Sequence, residues 1–208
     1  MRLNCSGLCL TLSLFLLVVA GPAARAQTDV GLSLYATFTP TTTYGFLGFE
    51  HQTSVEAAGG LFEFRHISNP FVGYEVTYSF NRANQVYTYT GTIPAGAEPS
   101  FSALSANAHE ITGDWLLSAP VGRFRPFVLA GAGLLLTEPA SGQGQTTSST
   151  GPVYVFGAGL DCKLVPHLGL RFQYRANVYK APNISADFGS NGGFTHTAEP
   201  MIGAYFRF

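Results

Sequence analysis

The chain has 208 residues, 46% hydrophobic and 11% charged, with 24 Gly, 17 Phe and 10 Tyr, and eleven Lys and Arg against twelve Asp and Glu. A near-neutral chain this rich in aromatics is not a disordered one. Without a basic excess to neutralise phosphates it also offers no electrostatic case for binding nucleic acid.

The first element reads as an export signal. Arg2 supplies a positive start, residues 8–20 are apolar, and Ala24-Arg25-Ala26 places small residues at alternate positions. A membrane-spanning helix needs about 20 apolar residues, more than this stretch provides. Cleavage after Ala26 is therefore predicted, dividing the chain into a signal peptide, 1–26, and a mature domain, 27–208. No cysteine follows the small residues, so a lipoprotein site is not indicated. Removing Cys5 and Cys9 leaves Cys162 alone and no internal disulfide to form.

The mature sequence breaks at period two into eight segments, 29–38, 54–66, 71–81, 106–119, 124–137, 153–164, 168–179 and 197–208. No segment carries the three-and-four spacing of an amphipathic helix. In the third, Val72, Tyr74, Val76, Tyr78 and Phe80 oppose Gly73, Glu75, Thr77, Ser79 and Asn81. In the seventh, Leu168, Leu170, Phe172, Tyr174, Ala176 and Val178 oppose Gly169, Arg171, Gln173, Arg175 and Asn177. Each segment is about as long as a tilted strand needs to cross a bilayer, roughly 9–11 residues.

The connections choose among β architectures. Those at 39–53, 82–105, 138–152 and 180–196 are long and rich in Thr, Ser, Gly, Asn and Pro, whereas those at 67–70, 120–123 and 165–167 are short. Strict alternation of long and short is the signature of an up-and-down barrel with short turns at one rim and long loops at the other. A Greek-key sandwich does not produce it. The expected fold is an eight-stranded antiparallel transmembrane β-barrel with a polar, charge-paired interior.

Alternation assigns Glu63, Arg65, Glu75, Glu110, Asp114, Arg125, Asp161, Lys163, Arg171, Arg175, Glu199 and Arg207 to the inside, six acids and six bases. Buried charges need partners, because an unpaired one costs several kcal/mol. A lipocalin has the reverse arrangement, and here the apolar face needs a hydrocarbon solvent. Eight strands enclose a space that side chains fill, so a large open pore is not expected. Gly131 and Gly133, with Gly157 and Gly159, fall on the inward phase and are expected to leave room for Arg171 and Arg175 or to allow sharp curvature.

The signal, the eight-strand rhythm, the charged interior and the ending Ala204-Tyr205-Phe206-Arg207-Phe208 together resemble the small outer-membrane barrels of the OmpA-transmembrane-domain and OmpX type, including the generic outer membrane protein β-barrel domain family. The resemblance spans 29–208. It implies residence in the outer membrane of a Gram-negative cell, contact with outer-membrane lipid, and recognition of Phe206 and Phe208 by the barrel-assembly machinery. The sequence departs from full-length OmpA proteins in having nothing after the barrel to form their peptidoglycan-binding domain, so cell-wall anchoring by that route is not expected; a monomer is expected.

No catalytic, cofactor or metal site is predicted. His51, His66, His109, His167 and His196 are scattered without ligand spacing, and Gly-Ala-Gly-Leu lacks the third Gly and the helix of a dinucleotide fingerprint. The leading expectation is a structural or interaction barrel whose outer loops meet an unknown ligand. Within those loops 86–90 alternates and is expected to extend the strands as an edge open to a partner strand. The alternatives are a narrow or gated channel and a lipid A-modifying enzyme. The enzyme would draw on His196 with Ser185 or Ser190 and Glu199, or on His109 with Ser105 and Glu110.

Overall fold

The structure is a computed structural model, and it describes residues 26–44, 50–89, 101–141, 146–185 and 193–208. The signal segment, Thr90 and Ser190 lie outside the described residues. Ten strands form in chain order, β1 (Gln27–Thr37), β2 (Thr42–Tyr44), β3 (Glu50–Ser54), β4 (Ala57–Ile67), β5 (Val72–Tyr89), β6 (Phe101–Ser118), β7 (Phe124–Pro139), β8 (Ser149–Val165), β9 (Leu168–Lys180) and β10 (Phe194–Arg207). Eight of them close a barrel in the order β4-β1-β10-β9-β8-β7-β6-β5, with β5 returning to β4. All pairings are antiparallel, and the seam between β1 and β10 runs from Asp29 opposite Arg207 to Tyr35 opposite Met201.

Alternation drives this closure. On β4 and β5 every second residue from Leu61 to Ile67 and from Gly73 to Ser79 is buried, while Phe62, Phe64, Tyr74, Val76, Tyr78 and Phe80 face out. Leu32 and Leu34 are 68% and 72% exposed to the surroundings, which only a hydrocarbon solvent makes favourable over so wide a belt. Near the short turns the outer surface carries an aromatic girdle. Tyr74 meets Trp115 edge-on at 6.4 Å between centroids, and Phe206 meets Phe208 at 5.4 Å. Near the loops Tyr78, Phe80 and His109 form a second cluster, with the Tyr78 hydroxyl 2.8 Å from His109 Nδ1. From Tyr74 to Phe80 a strand advances about 20 Å at roughly 3.3 Å per residue, with an apolar or aromatic side chain at every outward position.

The strands exceed their sequence-predicted lengths at the loop end. β5 and β6 stay paired as far as Thr88 opposite Phe101, making a ribbon that rises beyond the belt. The first long connection folds into the β2–β3 hairpin, and β3 pairs with β5 from Gln85 to Tyr89. That pairing corrects the open edge expected at 86–90, because the hairpin already satisfies the β5 backbone there. At the opposite rim, Gly122 adopts φ 62° in the turn between β6 and β7, a left-handed conformation that suits Gly.

The interior is not uniformly polar. Leu116, Phe127, Leu129, Val153 and Val155 form a buried apolar wall inside β6, β7 and β8, and Tyr35, Leu61 and Met201 pack together on the neighbouring strands β1, β4 and β10. Three buried aromatic rings each lie over a glycine directly across the ladder, Tyr35 over Gly59, Phe127 over Gly159 and Tyr205 over Gly169. Gly131, Gly133 and Gly157 instead sit against the backbone of the adjoining strand, where a Cβ would strike the carbonyl oxygens of Gly113, Ile111 and Tyr174. These contacts put close backbone approach at Gly131, Gly133 and Gly157, and at Gly159 room for a ring rather than for the expected guanidinium.

The charged interior and the covered mouth

Of the twelve charged side chains placed inside by alternation, nine are buried: Glu63, Arg65, Glu75, Glu110, Asp114, Asp161, Arg171, Arg175 and Glu199. Arg125 and Arg207 are half-buried at the short-turn rim. Lys163 is exposed and corrects the assignment. It keeps the inward phase, but β8 has reached the rim there, where the ladder with β9 shifts register between Lys163 and Val165. Asp29, which the sequence reading did not include, is fully buried. Among the described residues the interior therefore holds seven acids and five arginines, not six acids and six bases.

The acids and bases form two tiers. In the tier near the short turns, Arg65 donates from Nε and Nη2 to the two oxygens of Asp29 at 2.8 and 3.0 Å, and from Nη1 to Asp161 Oδ2 at 2.8 Å. Arg171 donates to Asp161 Oδ1 at 2.8 Å, pairs with Glu63 and reaches Glu75 Oε2 at 3.4 Å. The Phe127 ring lies between the two guanidiniums, 4.9 Å from Arg171 and 6.0 Å from Arg65, while Tyr205 lies 5.5 Å from Arg65 and 5.3 Å from Arg207. Fork-shaped pairing together with aromatic stacking is what arginine supplies and lysine does not. In the second tier Arg175 donates to Glu110 Oε1 at 3.0 Å and faces Asp114 at 4.0 Å, with Thr77 and Thr112 each 3.4 Å from its Nη atoms. Asn177 Nδ2 bridges Glu110 and Glu199 at 2.9 and 3.1 Å.

At the loop end residues 181–185 cross the mouth. Gln52 of β3 donates to the Pro182 carbonyl at 2.8 Å, Tyr87 of β5 donates to the same oxygen at 3.2 Å, and the Ile184 amide donates to the Tyr87 hydroxyl at 3.2 Å. Thr147 donates its amide to the Ile184 carbonyl, and Ser185 bridges Thr146. Ile184 is buried against Tyr87 and Ala106. This strap thus gathers residues from all four long connections. Burial pushes the Tyr87 hydroxyl up to about 12, outweighing the opposing Ile184 amide, so it stays protonated and donating at neutral pH. Sequence reasoning missed the strap, since its one signal is an apolar Ile184 inside a Pro- and Asn-rich loop.

Among the described residues neither serine–histidine set assembles. His109 lies on the outer face against Tyr78 and Phe80 while Glu110 points inward, and Ser105 Oγ donates to Asn84 at 2.6 Å. His196 is exposed on the outward phase, whereas Glu199 is buried inside and Ser185 is buried in the strap. Among the described residues no three His, Cys, Asp or Glu side chains converge to hold a metal ion.

A closed barrel with a charged interior, an apolar belt and two aromatic girdles defines an integral protein of the outer-membrane type. The chain belongs to the outer membrane protein beta-barrel domain family, which it matches over residues 11–203. Among solved structures it is similar to the outer membrane protein OprG of Pseudomonas aeruginosa, with TM-score 0.60 and 13% identity over 88% of this chain and 96% of that one. It is also similar to Neisserial surface protein A, with TM-score 0.54 and 13% identity over 90% and 99% of the two chains. Ail of Yersinia pestis aligns with TM-score 0.52 and 16% identity over 89% and 100%. A search of the curated proteins found no match. At these identities the likeness is one of fold.

Proposed function

We propose that this protein is a non-catalytic, non-conducting barrel that works as a structural and interaction element of the outer membrane, exported through cleavage after Ala26 and inserted with its loop end outward. The observation that carries the reading is the combination of a filled, covered barrel with a paired β5–β6 ribbon standing above it. A solute path would have to pass both the strap and two tiers of ion pairs. The enzymatic alternative loses support from the separation of His109 and His196 from the carboxylates nearest them in sequence.

The ribbon indicates the kind of surface it meets. Over residues 82–89 and 101–107 its only charged residue is Arg82. The solved Ail structure holds the heparin analogue sucrose octasulfate, a polyanion. A ribbon with a single cation is suited to an uncharged glycan or protein surface instead. Cells displaying the chain are compared with cells in which 85–104 is replaced by an Asn-Gly turn, on immobilised neutral glycans and on heparin. Ribbon-dependent adhesion to the neutral glycans is the expected result. Equal adhesion by both strains, or steady single-channel conductance of the purified protein in a planar bilayer, would overturn the reading.

A further inference from the structure

Below the strap, at the loop end of the interior, lies a polar cavity of about 50 Å³ whose wall includes Ser79, Glu110, Thr137, Asn177, Thr197 and Glu199 and whose cover is Pro182. At about 10–15 Å³ for each water-sized occupant, it has room for an ion and a few waters. A cleft of about 390 Å³ between the strap and the β7–β8 hairpin adjoins it, sharing Leu135, Thr137, Tyr179 and Pro182.

Two observations concern what this chamber lacks. The first is a counter-ion, since the carboxyls of Glu110, Asp114 and Glu199 share the guanidinium of Arg175. The second is independent of the acids. Asn177 gives its amide N–H groups to Glu110 and Glu199, which leaves its own carbonyl oxygen to find a donor elsewhere. That oxygen is buried without a hydrogen-bond partner, and so is Glu199 Oε2, in side chains that are 1% and 4% exposed. Two buried acceptors lining one chamber are left without a donor, and a buried polar atom without a partner calls for an occupant.

We propose that this chamber binds one hard divalent cation of the calcium type, held by Glu199 Oε2 and Asn177 Oδ1, with water completing its shell. Oxygen is the only donor element the polar wall presents, which favours calcium or magnesium over a transition metal. Calcium is favoured because it accepts a loose shell of protein oxygens and water, whereas magnesium demands a near-octahedral one. A cation would supply the further counter-charge that three carboxyls sharing one guanidinium lack. This goes beyond the interaction reading and does not depend on it.

The test uses the full folded chain in detergent after EDTA treatment. Equilibrium dialysis against radioactive calcium is expected to retain about one ion per chain, with an affinity lowered at least about 10-fold in Glu199→Gln and unchanged in Glu56→Gln, an exposed control. Calcium, and not sodium at equal ionic strength, is expected to raise the temperature at which the wild-type barrel opens. Should Glu199→Gln fail to fold, terbium luminescence excited through tyrosine reports the site in the wild type, and Tyr179→Phe, on the chamber wall, is expected to dim it without loss of calcium retention. Undiminished calcium binding by folded Glu199→Gln would place the cation elsewhere. No calcium retained by the folded wild type would mean that water or a proton satisfies the chamber. Either result overturns the proposal.

Discussion

Arg171 shows what a single residue does in a sealed interior. It touches Asp161, Glu63 and Glu75, and none of the three has access to bulk water. Arg171→Ala is expected to cost about 3–5 kcal/mol, because it leaves carboxylates buried and unpaired. Urea titration in detergent measures this, and an unchanged midpoint would show that Arg171 is not the hub of the lower tier. Glycines sort by which face they serve. Gly133→Val would drive a side chain into the Ile111 carbonyl and is expected to reduce the assembled fraction sharply, whereas Gly113→Ala, on the outer face with nothing within 4 Å, is expected to change stability by less than about 0.5 kcal/mol. Quantifying folded barrel in isolated membranes separates the two. Phe206 and Phe208 stand out from the last strand, and we propose them as the assembly signal. Removing Phe208 is expected to slow the appearance of folded barrel in a pulse-chase without lowering the melting point of molecules already assembled.

At the scale of elements, the strap and the β2–β3 hairpin are the parts that sequence patterning left unread. A barrel strand announces itself by period two, since hydrocarbon lies on one side and packed side chains on the other. The strap has no period, because the buried Ile184 side chain and a few backbone carbonyls decide where it lies. β2 and β3 are Thr- and Gln-bearing segments of three and five residues, too short for alternation to register. Asp29 escaped for a related reason. It stands at the start of β1, and no other charged residue follows in that strand to mark the inward phase. Lys163 obeyed the alternation yet fell beyond the enclosed length, a matter of where the rim comes, which period two does not encode. Tyr87→Phe removes one donor to Pro182 and the acceptor of the Ile184 amide. It is expected to loosen the strap by about 1–3 kcal/mol and to speed proteolysis within 181–193, with the barrel itself intact. Unaltered cleavage would mean that Gln52 and the bridge to Thr146 suffice to hold it.

For the whole molecule, closure by the β1–β10 seam leaves no open edge in the belt from which strands can peel away. The intact barrel is therefore expected to resist detergent until heated and to change electrophoretic mobility on boiling. Identical mobility before and after heating would contradict a closed barrel. The eight barrel strands, the belt and most of the charged interior were legible because membrane and packing impose them residue by residue along each strand. The apolar wall of Leu116, Phe127, Leu129, Val153 and Val155 was not, since an apolar residue on the inward phase carries no mark that distinguishes it from one facing lipid.

The two tiers and the chamber above them lie in a definite order along the barrel axis, and this order gives the molecule a mechanical polarity. Its base is cross-braced by bidentate arginines sandwiched against rings, so deforming it breaks many contacts at once. Its upper third encloses unfilled volume and is tied by a few neutral hydrogen bonds that can be exchanged one at a time. Thermal breathing should therefore be confined to the loop end, over a base that stays rigid. The surface offered to a partner can adapt its shape without transmitting that movement through the wall.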